Sequence, residues 1–180
     1  ERLQFDEMLK IAIQIEKDKK EKRKYKSTPI IEDNSLTKDF LKSLPFELTS
    51  DQHKSIKEIL KDISKTKPMN RLLNGDVGSG KTVVAALAVL QCIRNNFSAI
   101  LLAPTTVLAN QHFDTFNKLL SPFDVDVQIW TSARKGKPRS HSSLIIGTHA
   151  VLYKSDTPEN LNLVVVDEQH RFGVEQREKL

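Results

Sequence analysis

Apolar residues recur along this chain with two periods, and the change between them falls near residue 70. In the first part, Leu3, Met8, Leu9, Ile11, Ala12, Ile13 and Ile15 give an approximately helical apolar face. Neither Pro nor Gly interrupts it, so the pattern predicts a long helix over residues 2–24. Ser27-Thr28-Pro29 ends that helix, because proline pushes the residue before it out of helical backbone. Residues 27–45 read as a polar connector with a short helix near Thr37–Ser43, stopped by Pro45. Ile56, Ile59, Leu60 and Ile63 share one face of a further helix. Thr49 or Ser50 can cap its start, and it runs to about Ser64, with Pro68 closing the segment.

From Arg71 onward, short apolar runs alternate with helical stretches. Arg71-Leu72-Leu73-Asn74 predicts a short strand, and Lys81–Ile93 an Ala/Leu/Val-rich helix. Ser98–Ala103 predicts a strand, Val107–Leu120 a helix, and Val125–Trp130, Leu144–Gly147 and Leu161–Val166 three more strands. These strands are apolar throughout rather than alternating, the mark of a sheet covered on both faces. Strands of that kind interleaved with helices predict an α/β fold with a mainly parallel sheet, doubly wound by right-handed crossovers.

Composition narrows the class. At 180 residues the chain fits one domain of ordinary size with an appendage. Its one cysteine, Cys92, cannot form an internal disulfide, which excludes a disulfide scaffold and points to a reducing compartment. Cys92 lies within the Ala/Leu-rich helix and reads as core. No apolar run approaches the ~20 residues that cross a bilayer, and the N-terminus has no apolar signal region, so no membrane association is expected. The net charge is 28 − 23 = +5. Residues 17–26 hold seven basic and two acidic residues, so this stretch alone accounts for it. Arg134, Lys135, Lys137 and Arg139 form a smaller basic cluster. Solvated faces and phosphate-pairing surfaces both fit such clusters.

The glycines point to chemistry. Gly75-Asp76-Val77-Gly78-Ser79-Gly80-Lys81-Thr82 fits G-x-x-x-x-G-K-[ST], between an apolar run and a helix. Glycines let the backbone curl until consecutive N–H groups face phosphate oxygens, and the helix that follows offers its N-terminus to the same anion. Lys81 supplies a point charge for the β- and γ-phosphates, and Thr82 a hydroxyl for Mg²⁺. Val164-Val165-Val166-Asp167-Glu168 complements this loop: a buried strand ending in acids puts carboxylates at the edge where a parallel sheet binds its ligands. Asp167 is expected to hold Mg²⁺, through water, and Glu168 to act as general base on the attacking water. The cofactors expected are ATP and Mg²⁺.

Gln169 and His170 extend the strand end to Asp-Glu-Gln-His, and here the chain resembles the superfamily 2 helicases, whose second motif reads D-E-x-H. Four other segments occur in the matching order. They are Pro45–Gln52, the phosphate loop, Ala103–His112 and Gly147–Ala150, ahead of Asp167–Val174. Together they resemble the RecG-type branch-migrating DNA helicases of bacteria over residues 40–180. The related transcription–repair coupling translocases tend to read Asp-Glu-Glu-Gln-Arg-Phe where this chain has Asp-Glu-Gln-His-Arg-Phe, which favours the first group.

The resemblance implies a RecA-like first motor lobe over residues 46–180, with residues 1–45 as linker helix and connector. It implies that Gln52 reads adenine, supported by Phe46 and Thr49, within a nucleotide site of Gly75, Asp76, Val77, Gly78, Ser79, Gly80, Lys81 and Thr82. It implies DNA-phosphate contacts from Pro104, Thr105 and Thr106, and from Gly147, Thr148 and His149, without base reading. Helix capping at Thr105 or Thr106 is the alternative role, and the two are compatible. Gln169 and His170 would couple the nucleotide to the DNA face. Implied partners are forked or branched DNA, a second motor lobe and a wedge domain, in the bacterial cytoplasm.

Other readings fare less well. A GTPase would want Asn-Lys-x-Asp, but Asn117-Lys118 continues Leu119-Leu120. The five His and one Cys show no zinc spacing. Trp130 can stack on a base, though a strand end is an ordinary packing site and the core reading is favoured. Two departures from the family stand out. Trp130-Thr131-Ser132 replaces its usual Leu-Thr-Gly, and only Ser140-His141-Ser142 separates Arg139 from Ser143, where the family places a helix. The third motif and second lobe do not appear before Leu180, so the piece on its own is expected to bind nucleotide weakly and hydrolyse it negligibly. The alternative is a catalytically inactive nucleic-acid-binding fragment.

Overall fold

The computed structural model describes residues 25–131, 141–148, 150–151 and 158–168. The expected helix over residues 2–24, the basic cluster at Arg134–Arg139, His149, Gln169 and His170 lie outside the described residues.

Helix α1 spans Asn34–Ser43. It begins three residues before the expected start because Asp33 caps it, its carboxylate accepting from the N–H groups of Ser35 and Leu36. Leu36 and Phe40 turn inward from α1, and the Phe40 ring meets Phe123 at 5.9 Å between centroids. The connector thus contributes to the core rather than running over it. Helix α2, Ser50–Ile63, buries the four isoleucine and leucine positions expected of it. Thr49 and Gln52 close its N-terminus as a reciprocal capping box. Helix α3, Lys81–Arg94, is buried from Val83 to Ile93 on nearly every side, as its all-round apolar sequence requires.

Strand β1 (Ser98–Leu102) is followed by α4 (Thr106–Leu120), β2 (Val127–Trp130), β3 (Leu144–Gly147) and β4 (Leu161–Val166). The strands form one sheet in the order β2-β3-β1-β4, and every pairing is parallel. Alternate residues of β1 enter two separate clusters. Ala99 and Leu101 join Ile129, Leu144, Ile146 and Leu163 in the main core beneath the helices. Ile100 and Leu102 join Trp130, Ile145 and Val151 on the other face. A strand buried on both faces has no use for alternation, which is why these runs read as continuously apolar. Trp130 is core, 1% exposed, with its indole N–H donating to Gln128 Oε1. Cys92 is likewise buried.

The expected strand at Arg71–Asn74 is a correction. Among the described residues the segment belongs to no sheet, and β4 pairs only with β1. Leu73 packs against the core while Leu72 stands 79% exposed. A strand needs a neighbour to complete its ladder, and none of the four described strands lies beside this segment.

Two side-chain amides bind the connector to α3. Gln91, fully buried, accepts from the Asp33 N–H at 3.0 Å and donates to the Asp33 carbonyl and the Thr37 hydroxyl, both at 2.9 Å. One turn later, Asn95 accepts from the Ile31 N–H at 3.0 Å and donates to its carbonyl at 2.9 Å. Each amide offers a donor and an acceptor side by side, as a neighbouring strand would.

Candidate nucleotide and nucleic-acid site

A parallel sheet brings the C-terminal ends of all its strands to one edge, and Pro104, Thr105, Thr106, Gly147, Thr148, Asp167 and Glu168 lie at or follow those ends. The ladder continues just past the strands. Ala103 N–H donates to Gly147 O at 2.8 Å, and Asp167 N–H donates to Leu102 O at 2.9 Å. Asp167 is therefore held in register with the segment that leads through Ala103 and Pro104 into α4.

The loop ahead of α3 curls as the glycine pattern requires. Gly78 and Gly80 take φ of +80° and +78°, the left-handed region that favours glycine. Lys81 turns back into the loop, its ammonium donating to the carbonyls of Gly75 at 2.7 Å and Asp76 at 2.8 Å. A positive charge thus sits inside a backbone curl at a helix N-terminus. That combination fits a polyphosphate. Val77 at the loop tip is fully exposed, and Thr82 opens the first turn of α3 beside Lys81. Thr82 and Asp167 offer the oxygen donors a hard divalent cation takes.

Gln52 reaches the loop from α2. Its Oε1 accepts from the Thr49 N–H, and its Nε2 donates to the Ser79 carbonyl, each at 2.8 Å. Both polar ends of this side chain are therefore engaged with protein. Phe46 is half exposed and lines a cleft of about 510 Å³ with Leu44, Leu48 and His53.

Asp167 and Glu168 follow β4, with Asp167 one-third exposed at its side chain and Glu168 exposed. Glu168 takes φ of +53°, a left-handed conformation that costs a non-glycine residue on the order of 1 kcal/mol. Asp167 Oδ2 accepts from His112 Nε2 at 2.7 Å. His112 lies on α4 and was absent from the expected roles, although it ends the Ala103–His112 segment. Nothing in local sequence marks the contact, because the partners are 55 positions apart.

Thr105 is the N-cap of α4, its hydroxyl accepting from the Leu108 N–H at 3.2 Å. That hydroxyl keeps its own proton for a further acceptor. Thr106 is exposed beside it and Pro104 half-buried. Gly147 is buried against the Trp130 carbonyl and the Val151 side chain, and Thr148 is 9% exposed. Of these candidates, Thr105 and Thr106 present the accessible hydroxyls.

Ion pairing adds one further link. Arg71, just before the loop, pairs with Glu58 at 2.7 Å and with Asp62, both on α2, and Lys65 pairs with Asp62 at 2.7 Å. Hydrogen bonds from Lys65 and Arg71 hold the Asp62 carboxyl below its ordinary range.

Comparison with known proteins gives the family and the fold. The DEAD/DEAH box helicase family matches residues 49–180. The ATP-dependent DNA helicase RecG of Borreliella burgdorferi is 45% identical over 172 residues, covering 87% of this chain and 25% of that protein. The transcription-repair-coupling factor of the same bacterium is 42% identical over 158 residues, covering 83% of this chain and 14% of its own. A structure of RecG bound to a three-way DNA junction superposes with a TM-score of 0.80 at 40% identity, over 87% of this chain and 23% of that one. The four-stranded parallel sheet is thus the RecA-like helicase fold, and the chain spans about a quarter of the length of its RecG relatives. Among the described residues, no helix is long and apolar enough to cross a membrane. On the match across residues 49–180, the chain belongs to the DEAD/DEAH box helicase family.

Proposed function

We propose that this chain is the first motor lobe of an ATP-dependent DNA helicase or translocase that acts on branched DNA and stalled forks in recombination and repair. The observation that carries the reading is the Lys81 ammonium, seated in the glycine curl at the N-terminus of α3. The likeness to RecG over most of the chain supports the DNA substrate.

Each residue has a role in this reading. The loop N–H groups from Asp76 to Thr82 bind the phosphates of the substrate ATP, and Lys81 balances their charge. Phe46 packs against adenine, with Thr49 and Gln52 beside it. Thr82 and Asp167 would hold Mg²⁺, which when bound neutralises charge on the phosphate oxygens. Glu168 accepts the proton of the attacking water. Pro104, Thr105 and Thr106, with Gly147, Thr148 and His149, hold DNA phosphates, which gives salt-sensitive binding without base reading. Gln169 and His170 couple the two sites. A second motor lobe and a wedge domain complete the machine, in the bacterial cytoplasm.

The test is ATP hydrolysis by the full-length gene product with and without three-way junction DNA. Stimulation by the junction, abolished by Lys81→Ala, is expected. Failure of every DNA tested to stimulate hydrolysis would overturn the helicase reading.

A further inference from the structure

His112 is the one described side chain bonded to the carboxylate that the nucleotide site would use for a metal. The contact joins two elements that are each fixed independently. Asp167 is held at its main chain by the bond to Leu102. Helix α4 is held by Ala109, Phe116 and Leu120, all fully buried, and by the Thr105 cap. The imidazole is only 18% exposed and meets the Phe116 ring edge-on, with centroids 6.4 Å apart and planes at 69°. Residues four apart on a helix stack in this way, so Phe116 limits how the imidazole can turn. A carboxylate only accepts hydrogen bonds, so Nε2 carries the proton in this pair. One oxygen of Asp167 is thereby engaged, and among the described residues no side chain is bonded to the other, which a cation would take.

We propose that His112 is a positioning residue for metal binding: its Nε2–H holds the Asp167 carboxylate in one orientation through Oδ2. The inference rests on the nucleotide-site reading above. An outer partner of this kind fixes the angle at which a ligand oxygen is presented, and its loss typically weakens metal affinity about 10- to 100-fold. Thr105 and His112 are seven residues apart, close to two helical turns and about 10 Å along the axis. The helix that opens with the accessible threonine hydroxyls is therefore the one that reaches Asp167.

The experiment uses the full-length gene product carrying His112→Phe, which keeps a ring against Phe116 and loses the donor. It also uses His112→Gln, whose side-chain amide N–H reaches about as far as Nε2. Mn²⁺ binding in the presence of ADP is followed by electron paramagnetic resonance, and ADP affinity is measured separately without metal. The expected result is about tenfold or greater weakening of Mn²⁺ binding in His112→Phe. Metal-free ADP affinity should stay at the parental value, and His112→Gln should recover most of the loss. Parental Mn²⁺ affinity in His112→Phe overturns the proposal, and so does equal weakening in both variants. Absence of ADP binding by the unsubstituted protein would instead overturn the nucleotide-site reading itself.

Discussion

Gln52 and Ser79 are joined by a 2.8 Å hydrogen bond from the side-chain Nε2 to the main-chain carbonyl, while Gln52 Oε1 accepts from Thr49 N–H. One amide thus caps α2 and steadies the phosphate loop. Gln52→Glu should separate the two roles. A carboxylate still accepts from Thr49, so the melting temperature should change little. It cannot donate to Ser79, so nucleotide affinity should fall severalfold. Gln52→Ala should lose both, with a stability cost of about 0.5–1.5 kcal/mol for the lost return bond of the capping box, since the Thr49 hydroxyl still accepts from the residue-52 N–H. Thermal melts and fluorescent-nucleotide titrations of the same samples check this. Equal effects of the two substitutions on melting would refute the division.

Gly80 and Gly78 share a left-handed backbone but not a neighbourhood. A Cβ on Gly80 would overlap Gln52 Nε2, whereas one on Gly78 meets nothing within 4 Å. Gly78→Ala should therefore cost roughly 1–2 kcal/mol of backbone strain alone. Gly80→Ala should add displacement of the Gln52 amide. In the Gln52→Ala background that added part should vanish, leaving the two substitutions less than additive. Urea melts of the two single variants and the double variant measure the coupling.

Gly147 tests packing against DNA contact. A Cβ there would overlap the Trp130 carbonyl and Val151 Cγ2, and the carbonyl is backbone that cannot swing aside. Gly147→Ala should destabilise the fold by about 1–3 kcal/mol. Thr106→Val, at the exposed first position of α4 and outside the Thr105 cap, should leave most stability in place and weaken DNA binding. Denaturant midpoints and junction-binding titrations distinguish them, and an unshifted midpoint for Gly147→Ala would count against the packing role.

Cys92 should be chemically silent. Burial pushes its thiol up to about 12, and its Sγ lies 3.6 Å from the Ser98 carbonyl. The reactive species is the thiolate, so almost none is present at pH 8. Ellman's reagent should titrate this thiol only after denaturant is added. Rapid labelling of the native protein would contradict the packing around α3.

Asp62 sets a small acid dependence. Lys65 and Arg71 lower its carboxyl in the folded state, so the folded protein binds that proton less readily than the unfolded chain. The stabilisation is present above the ordinary value of 3.8 and is lost as pH falls through the lower folded value. Asp62→Asn should therefore melt below the parent at pH 7, and the gap should close as pH drops beneath 3.8. A gap that persists unchanged into acid would show that the charge is not its source.

By itself, the sequence determined whatever depends on neighbours along the chain. The phosphate loop is eight consecutive residues with one spacing, and the Thr49 cap, the α2 face and the four apolar strands are likewise local patterns. Backbone dihedral needs and side-chain periods are short-range, so a reader of the sequence meets them directly. Tertiary structure alone decided which of these elements touch. Arg71–Asn74 reads locally as a short strand, but ladder membership depends on the neighbour it is given. The polar connector became core because Gln91 and Asn95, some 60 residues on, satisfy its backbone and let Phe40 turn inward. Gln52 meets Ser79, and His112 meets Asp167, across separations that no periodicity spans. The strand order β2-β3-β1-β4 puts the end of β4 beside the start of α4, and side-chain hydrogen bonds that reach only about 3 Å form wherever the sheet brings their partners.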